Sequence, residues 1–242
     1  MCRRPDRTHP PGDGPSGPAG TTLLAALRRT TQFCHPELAV EVLLGHGDPA
    51  GTLIELSLRA ELVVLGTTGV GGNLLSLIGS VSSRVAAQAY CPVVVVPEQP
   101  AGPAVDPTIE VGIADTAAGA AALRFAFDEA RRRGVSVTAV RAQATGRGTA
   151  QPTNAPLPPD EAALPAALVS CRQQYPDVPV RVLLSRTDPA EAVLRASQHA
   201  ELVVIGAHHS EDRWSSRLGP VPQTVLHHTN CPVVLIGTPH QH

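Results

Sequence analysis

The feature that most constrains this chain is internal repetition. Ala60-Glu61-Leu62-Val63-Val64 returns as Ala200-Glu201-Leu202-Val203-Val204. Cys91-Pro92-Val93-Val94 returns as Cys231-Pro232-Val233-Val234, and Asp48-Pro49-Ala50 as Asp188-Pro189-Ala190. All three pairs share one offset of 140 residues (200 − 60, 231 − 91, 188 − 48). Self-similarity at a fixed spacing marks a repeated structural unit. The 242 residues therefore read as a tandem of two related domains.

The second repeat carries the clearer pattern. Ile109 to Ala114 is a short apolar run that predicts a strand. Ala122, Leu123, Ala126, Phe127 and Ala130 then fall on one helical face, with Asp128, Glu129 and Arg131 to Arg133 off it. Gly134 is placed to end that helix in the left-handed conformation. Strands are predicted at Val135 to Val140, Val178 to Leu184, Leu202 to Ile205 and Val233 to Ile236. Helices are predicted at Glu161 to Gln173 and Val221 to His228, with Asp188-Pro189 as an N-cap followed by proline at the first helical position. Alternating strands and helices imply an open parallel α/β sheet with helices on both faces.

Run backwards, the offset aligns Met1 with Arg141, just after the second strand of the later repeat. Leu23 to Thr31 matches a helix and Leu38 to Leu44 the third strand. The first repeat thus lacks its opening strand-helix-strand, through either a start placed too late or a true truncation. The expected organisation is a disordered leader over 1–20, a shortened repeat over 21–98, a linker over 99–106, a complete repeat over 107–238 and a tail over 239–242. Without its first two strands, the Leu38 to Leu44 strand has no neighbour of its own, and the Leu62 to Leu65 strand presents an unpaired apolar edge. The expectation is that the first repeat is partly ordered or is completed by a partner.

Composition removes several function classes. The net charge is −2, against binding of nucleic acid or a membrane surface by bulk charge. No apolar run approaches the roughly 18 residues of a spanning helix, and the amino terminus is Pro/Gly-rich rather than an apolar signal core. A cytoplasmic protein is expected. Every basic residue is arginine, which removes Schiff-base chemistry and a Walker-type lysine together. The five cysteines form no C-x-x-C, and adjacent histidines on a helix or strand point in different directions, so no metal site is expected.

The strand ending at Leu65 runs into Gly66-Thr67-Thr68-Gly69, then nine residues, then Gly79-Ser80-Val81. Glycines let backbone amides approach an anion closely. Gly79-Ser80 stands where the next helix starts, and a helix N-terminus offers unpaired N–H groups and a positive dipole end. Ser80 Oγ is placed either to cap that helix or to donate to a phosphate oxygen. No G-x-S-x-G nucleophile elbow and no general base occur in the loop.

With this G-x2-G-x9-G-S spacing, the Ala60-Glu61-Leu-Val-Val strand before it and Cys91-Pro92-Val-Val-Val after it, the chain resembles the universal stress protein family. The resemblance implies a five-stranded parallel sheet in order 3-2-1-4-5, in tandem or as a dimer joined through the fifth strands. It also implies binding of ATP, with Mg, in stress adaptation without dedicated catalysis. Leu65, Gly66, Gly69, Gly79, Ser80 and Val81 match family positions that contact ribose and phosphates. The family's aspartate at the end of strand one is Ala114 here, with Asp115 one place late. The second-repeat loop carries His209 for the second glycine and Pro220 for the serine, so this repeat is expected to be a degenerate, non-binding partner. The expected partners are an adenine nucleotide and either a second copy of the chain or the other repeat, through the fifth strands. The competing reading is a nucleotide-free dimerisation scaffold acting through the fifth-strand edge. An ATP hydrolase is the weakest of the three.

Overall fold

The computed structural model describes residues 18–67, 79–98, 107–142, 164–207 and 218–237. The chain divides into two compact units, Met1–Pro49 and Ala50–His242. In the first unit, helix α1 (Pro18–Cys34) is the predicted helix extended at both ends. It starts inside the segment expected to be a leader, whose remaining residues 1–17 lie outside the described ones. Residues 38–44 form no strand, contrary to expectation. A strand is held by its neighbours' hydrogen bonds, and this one lacks the strand it would pair with.

The second unit is one mixed sheet. Its elements are α2 (Pro49–Leu56), β1 (Val63–Gly66), α3 (Ser80–Gln88), β2 (Val93–Val96), β3 (Thr108–Gly112), α4 (Ala117–Arg133), β4 (Ser136–Ala142), α5 (Ala166–Gln174), β5 (Val180–Ser185), α6 (Pro189–Ala196), β6 (Ala200–Gly206), α7 (Pro220–His228) and β7 (Val233–Ile236). The strand order is β1-β2-β7-β6-β3-β4-β5. Counted within the second repeat alone, β5-β4-β3-β6-β7 is the expected order 3-2-1-4-5, all parallel.

The two fifth strands, β2 and β7, pair antiparallel, with Val93 opposite Leu235, Val94 opposite Val234 and Val95 opposite Val233. Shifting each partner by the repeat offset returns the same set of pairs. A local two-fold axis therefore passes between Val94 and Val234, as at an isologous dimer contact. The shortened repeat thus finds its neighbour inside its own chain. Its strand four, β1, is hydrogen-bonded to β2 and is the terminal strand of the order, and Val64 on it is 59% exposed.

The offset extends to single hydrogen bonds. Val63 N–H donates to Pro92 O at 3.0 Å, and Val203 N–H to Pro232 O at 2.9 Å. Thr67 N–H donates to Val96 O and Ala207 N–H to Ile236 O. Ser57 and Ser197, also equivalent, are both buried, and each donates its hydroxyl to the carbonyl three residues earlier.

Two apolar cores lie on the two faces. On one, Ala122, Leu123, Ala126, Phe127 and Ala130 of α4, the face read from the sequence, are fully buried against Ile109, Val111, Val204 and Val234. On the other, Val85 of α3 and Val93 and Val95 of β2 share a core with Val225 of α7 and Val233 and Leu235 of β7, so both repeats bury surface together. Thr116 accepts a hydrogen bond from Gly119 N–H as N-cap of α4, and Gly134 ends that helix at φ 69°. Asp188 caps α6 through Ala190 N–H.

One polar group interrupts the second core's strand face. Glu110 on β3 is fully buried, and neither carboxylate oxygen has a hydrogen-bond partner among the described residues. Burial pushes its carboxyl well above the usual carboxylate range. It also contributes to the rise of the Cys231 thiol, which burial first, then Glu110 and Glu201, push up to about 12. Cys231 Sγ donates to Ala200 O at 3.3 Å, so it is a structural thiol.

Because Glu110 keeps its proton in the fold at a pH where the unfolded chain has lost it, its contribution is fully present below the ordinary carboxylate range and is lost as pH rises toward the folded pKa. Urea unfolding of the wild type at about pH 5, 6.5 and 8 is expected to show stability falling with pH, by up to about 1.4 kcal/mol per pH unit for one proton. Glu110→Gln flattens that fall. Equal slopes in both proteins would place the titration elsewhere. Separately, a Cβ on Gly206 would sit 2.8 Å from the backbone of Ala118 and Gly119. Gly206→Ala is expected to cost about 2–3 kcal/mol, read as a lowered Tm.

Candidate functional site

In an open α/β sheet, ligands bind beyond the carboxyl ends of the strands, where the connections switch faces. That point falls between β3 and β6: α4, which follows β3, packs on one face, and α6, which precedes β6, on the other. A cleft of about 290 Å³ opens there. Gly112, Ile113 and Ala114 line it from the end of β3, Val140 and Ala142 from β4, and Ile205 and Gly206 from β6. Pro189 and Val193 of α6 and Gly219 to Pro222 at the start of α7 complete the wall.

Every lining residue among the described ones is glycine, alanine, valine, isoleucine or proline. Ala114, at the position of the expected aspartate, is one of them. Asp115 is not. Its carboxylate turns out to Arg141 at 3.0 Å and is 65% exposed. The helix facing the cleft begins Gly219-Pro220-Val221-Pro222, with Gly219 as N-cap. Two of its first three residues have no N–H to offer a ligand. Gly206, at the cleft's edge, lets the first turn of α4 approach the end of β6 more closely than a side chain would allow.

The first-repeat loop is built differently. Leu65 is half-buried at the end of β1 and Gly66 is exposed. Gly79 is the N-cap of α3 in an extended conformation with no side-chain cap bond, and Ser80 is the first helical residue. Ser80 is exposed and does not cap the helix, contrary to one of its two expected roles. Val81 packs part-buried on the shared core. The strand end and the helix start are tied by two bonds. Gly79 N–H donates to Thr67 O at 2.6 Å, and Ser82 Oγ donates to Gly66 O at 2.7 Å.

The structure therefore brings Leu65, Gly66, Gly79, Ser80 and Val81 together at one sheet end. Gly69 lies outside the described residues. The Gly79 amide, expected among the anion donors, is already used, and among the described residues the first-turn donors left are those of Ser80, Val81 and Ser82. Ser82 was missed by sequence reasoning, although its spacing from Gly66 is fixed by the same loop. The lining residues Val140, Ala142, Pro189 and Val193 were missed too. Their signal was positional: each stands at a strand end or helix start next to the switch point. Among the described residues, no three His, Cys, Asp or Glu side chains gather as a metal site. No helix among them is long and apolar enough to cross a membrane.

A doubly wound sheet, parallel through the second repeat, with a cleft at its switch point and a glycine-flanked helix N-terminus has the architecture of an open α/β module. Comparison with known proteins narrows that class. The universal stress protein family model matches residues 6–97 and 107–237. Universal stress protein Rv2005c of Mycobacterium tuberculosis is 36% identical over 205 residues, 82% of this chain and 69% of the relative. Universal stress protein Rv1996 of the same organism is 34% identical over 224 residues, 88% of this chain and 70% of the relative. The crystal structure of a universal stress protein from Archaeoglobus fulgidus superposes with a TM-score of 0.67 at 18% identity, covering 91% of this chain and 77% of that one. The chain belongs to the universal stress protein family.

Removing the Ser82 hydroxyl leaves the Gly66 carbonyl without this bond. Ser82→Ala is expected to lower stability by about 1 kcal/mol in urea unfolding while the far-ultraviolet dichroism is kept.

Proposed function

We propose that this protein is a regulatory module of stress adaptation that binds an adenine nucleotide through its phosphates at the first-repeat loop, with no dedicated catalysis. The observation that carries this reading is the convergence of Gly66, Ser80 and Val81 at the uncapped start of α3. The first-turn N–H groups there, the positive end of the helix dipole and the exposed Ser80 hydroxyl form a donor set suited to phosphate. Leu65 and Val81 supply apolar contact beside it. None of Leu65, Gly66, Gly79, Ser80 and Val81 carries a carboxylate, so Mg would be held by the phosphate oxygens of ATP rather than by these residues.

The same set offers neither a general base nor a nucleophile activated by one, which is why the reading is binding rather than hydrolysis. The scaffold alternative relied on a free fifth-strand edge. That edge is absent among the described residues, because β2 and β7 occupy each other. Tandem pairing inside the chain supports the reading in which the fifth strands hold the repeats together.

Isothermal titration of the full chain with ATP, with and without Mg, tests the proposal. Gly79→Asp places a carboxylate at the N-cap and is expected to weaken binding at least tenfold, about 1.4 kcal/mol or more. Ser80→Ala is expected to weaken it less. Wild type that binds no ATP, or binds it no better than Gly79→Asp, would overturn the reading.

A further inference from the structure

We propose that the cleft of the second repeat is a separate binding site for a small uncharged ring compound, and that it rejects phosphorylated nucleotides. The first ground is the wall. Among the described residues no lining side chain bears a charge, a hydroxyl or an amide, so these walls return nothing to a charged ligand for its lost water. The second ground is the helix start. The repeat offset places Pro220 on Ser80 and Pro222 on Ser82. Both changes remove a hydroxyl and an N–H, at the end of the cleft where a phosphate tail would have to lie. Val221 alone of the first three helical residues keeps its amide, between two proline rings.

The third ground is that the cleft persists. Gly112, Ala114 and Ala142 leave the ends of β3 and β4 without bulky side chains where they reach the cleft. A Cβ at Gly112 would rest in ordinary contact, 3.6 Å from Val193 Cγ2, so close packing does not force the glycine there. It leaves room instead. The volume, about 290 Å³, is at the lower end of the roughly 300–1,000 Å³ found for small-molecule sites. It suits two or three linked rings better than a nucleoside triphosphate. The occupant is held by apolar burial, and its polarity is limited to what strand-end backbone groups can meet.

The test uses the full chain and the neutral fluorophore N-phenyl-1-naphthylamine. Saturable binding with a fluorescence rise is expected. Ala142→Trp, which fills the cleft, weakens it at least tenfold, and Ala114→Asp, which puts a carboxylate on the wall, does the same. ATP at millimolar concentration does not displace the dye, and Gly79→Asp in the other repeat leaves its affinity unchanged. Thermal melts of each variant confirm folding, and Ala114→Asp carries the test if Ala142→Trp does not fold. Absence of saturable binding, competitive displacement by ATP, or undiminished binding in a folded cleft variant would each overturn the proposal.

Discussion

The antiparallel contact between β2 and β7 is the interaction on which the rest of this sheet depends. A strand pair such as β1-β2 is marginal in isolation. Joined to β7, it becomes the end of a seven-stranded sheet, and α3 gains a core shared with α7. The join works because Val93, Val94 and Val95 of β2 pair with Leu235, Val234 and Val233 of β7. Strands buried on both faces read as continuous apolar runs, whatever the direction of their neighbour. The two-fold axis through Val94 and Val234 makes the contact self-complementary, so one short motif repeated in the chain supplies both sides of the interface.

Around that axis the two repeats have kept the same backbone and diverged in chemistry. The hydrogen bonds of Val63 and Val203, and of Thr67 and Ala207, follow the repeat offset within a few tenths of an ångström. The helices α3 and α7 begin at equivalent residues. Their first turns do not resemble each other: serine, valine, serine in one and proline, valine, proline in the other. Proline is well tolerated in the first turn because its missing N–H has no helical partner there. Fold stability therefore does not resist the exchange, although it removes two N–H groups and two hydroxyls from the helix start. In one repeat the helix start has kept its donors, and in the other the cleft has kept its space.

Buried polarity separates the two faces of the sheet in a similar way. The α4 face is closed by aliphatic and aromatic packing, with the Tyr175 ring tilted against Phe127 at a centroid distance of 5.6 Å and its hydroxyl donated to Asp128. The opposite face carries Glu110, which has no hydrogen-bond partner among the described residues and whose carboxyl is pushed well above the usual carboxylate range by burial. A carboxyl in that position opposes folding at high pH more than at low pH, since ionising it would leave an uncompensated charge in the core.

Much of this was legible from the chain alone. The offset located both repeats, the 3.6-residue spacing in Ala122 to Ala130 found the buried face of α4, and Gly134 and Asp188 marked helix ends that the structure confirms. These are local signals: periodicity and capping depend on neighbours within a turn or two. What lay beyond them needed the tertiary structure. The run 38–44 has strand composition but no strand, because a strand exists through a partner the sequence pattern does not name. The Gly79 amide and the Ser82 hydroxyl found acceptors 12 and 16 residues away across a loop, so their availability could not be judged from spacing. The cleft is assembled from three strand ends and two helix starts spread from Gly112 to Pro222. Sequence determined that there are two related units and where the G-x2-G-x9-G-S spacing stands in the first. Tertiary packing decided that β2 pairs with β7 and that the degenerate repeat keeps an open apolar cavity, because both arise from surfaces meeting across the chain rather than along it.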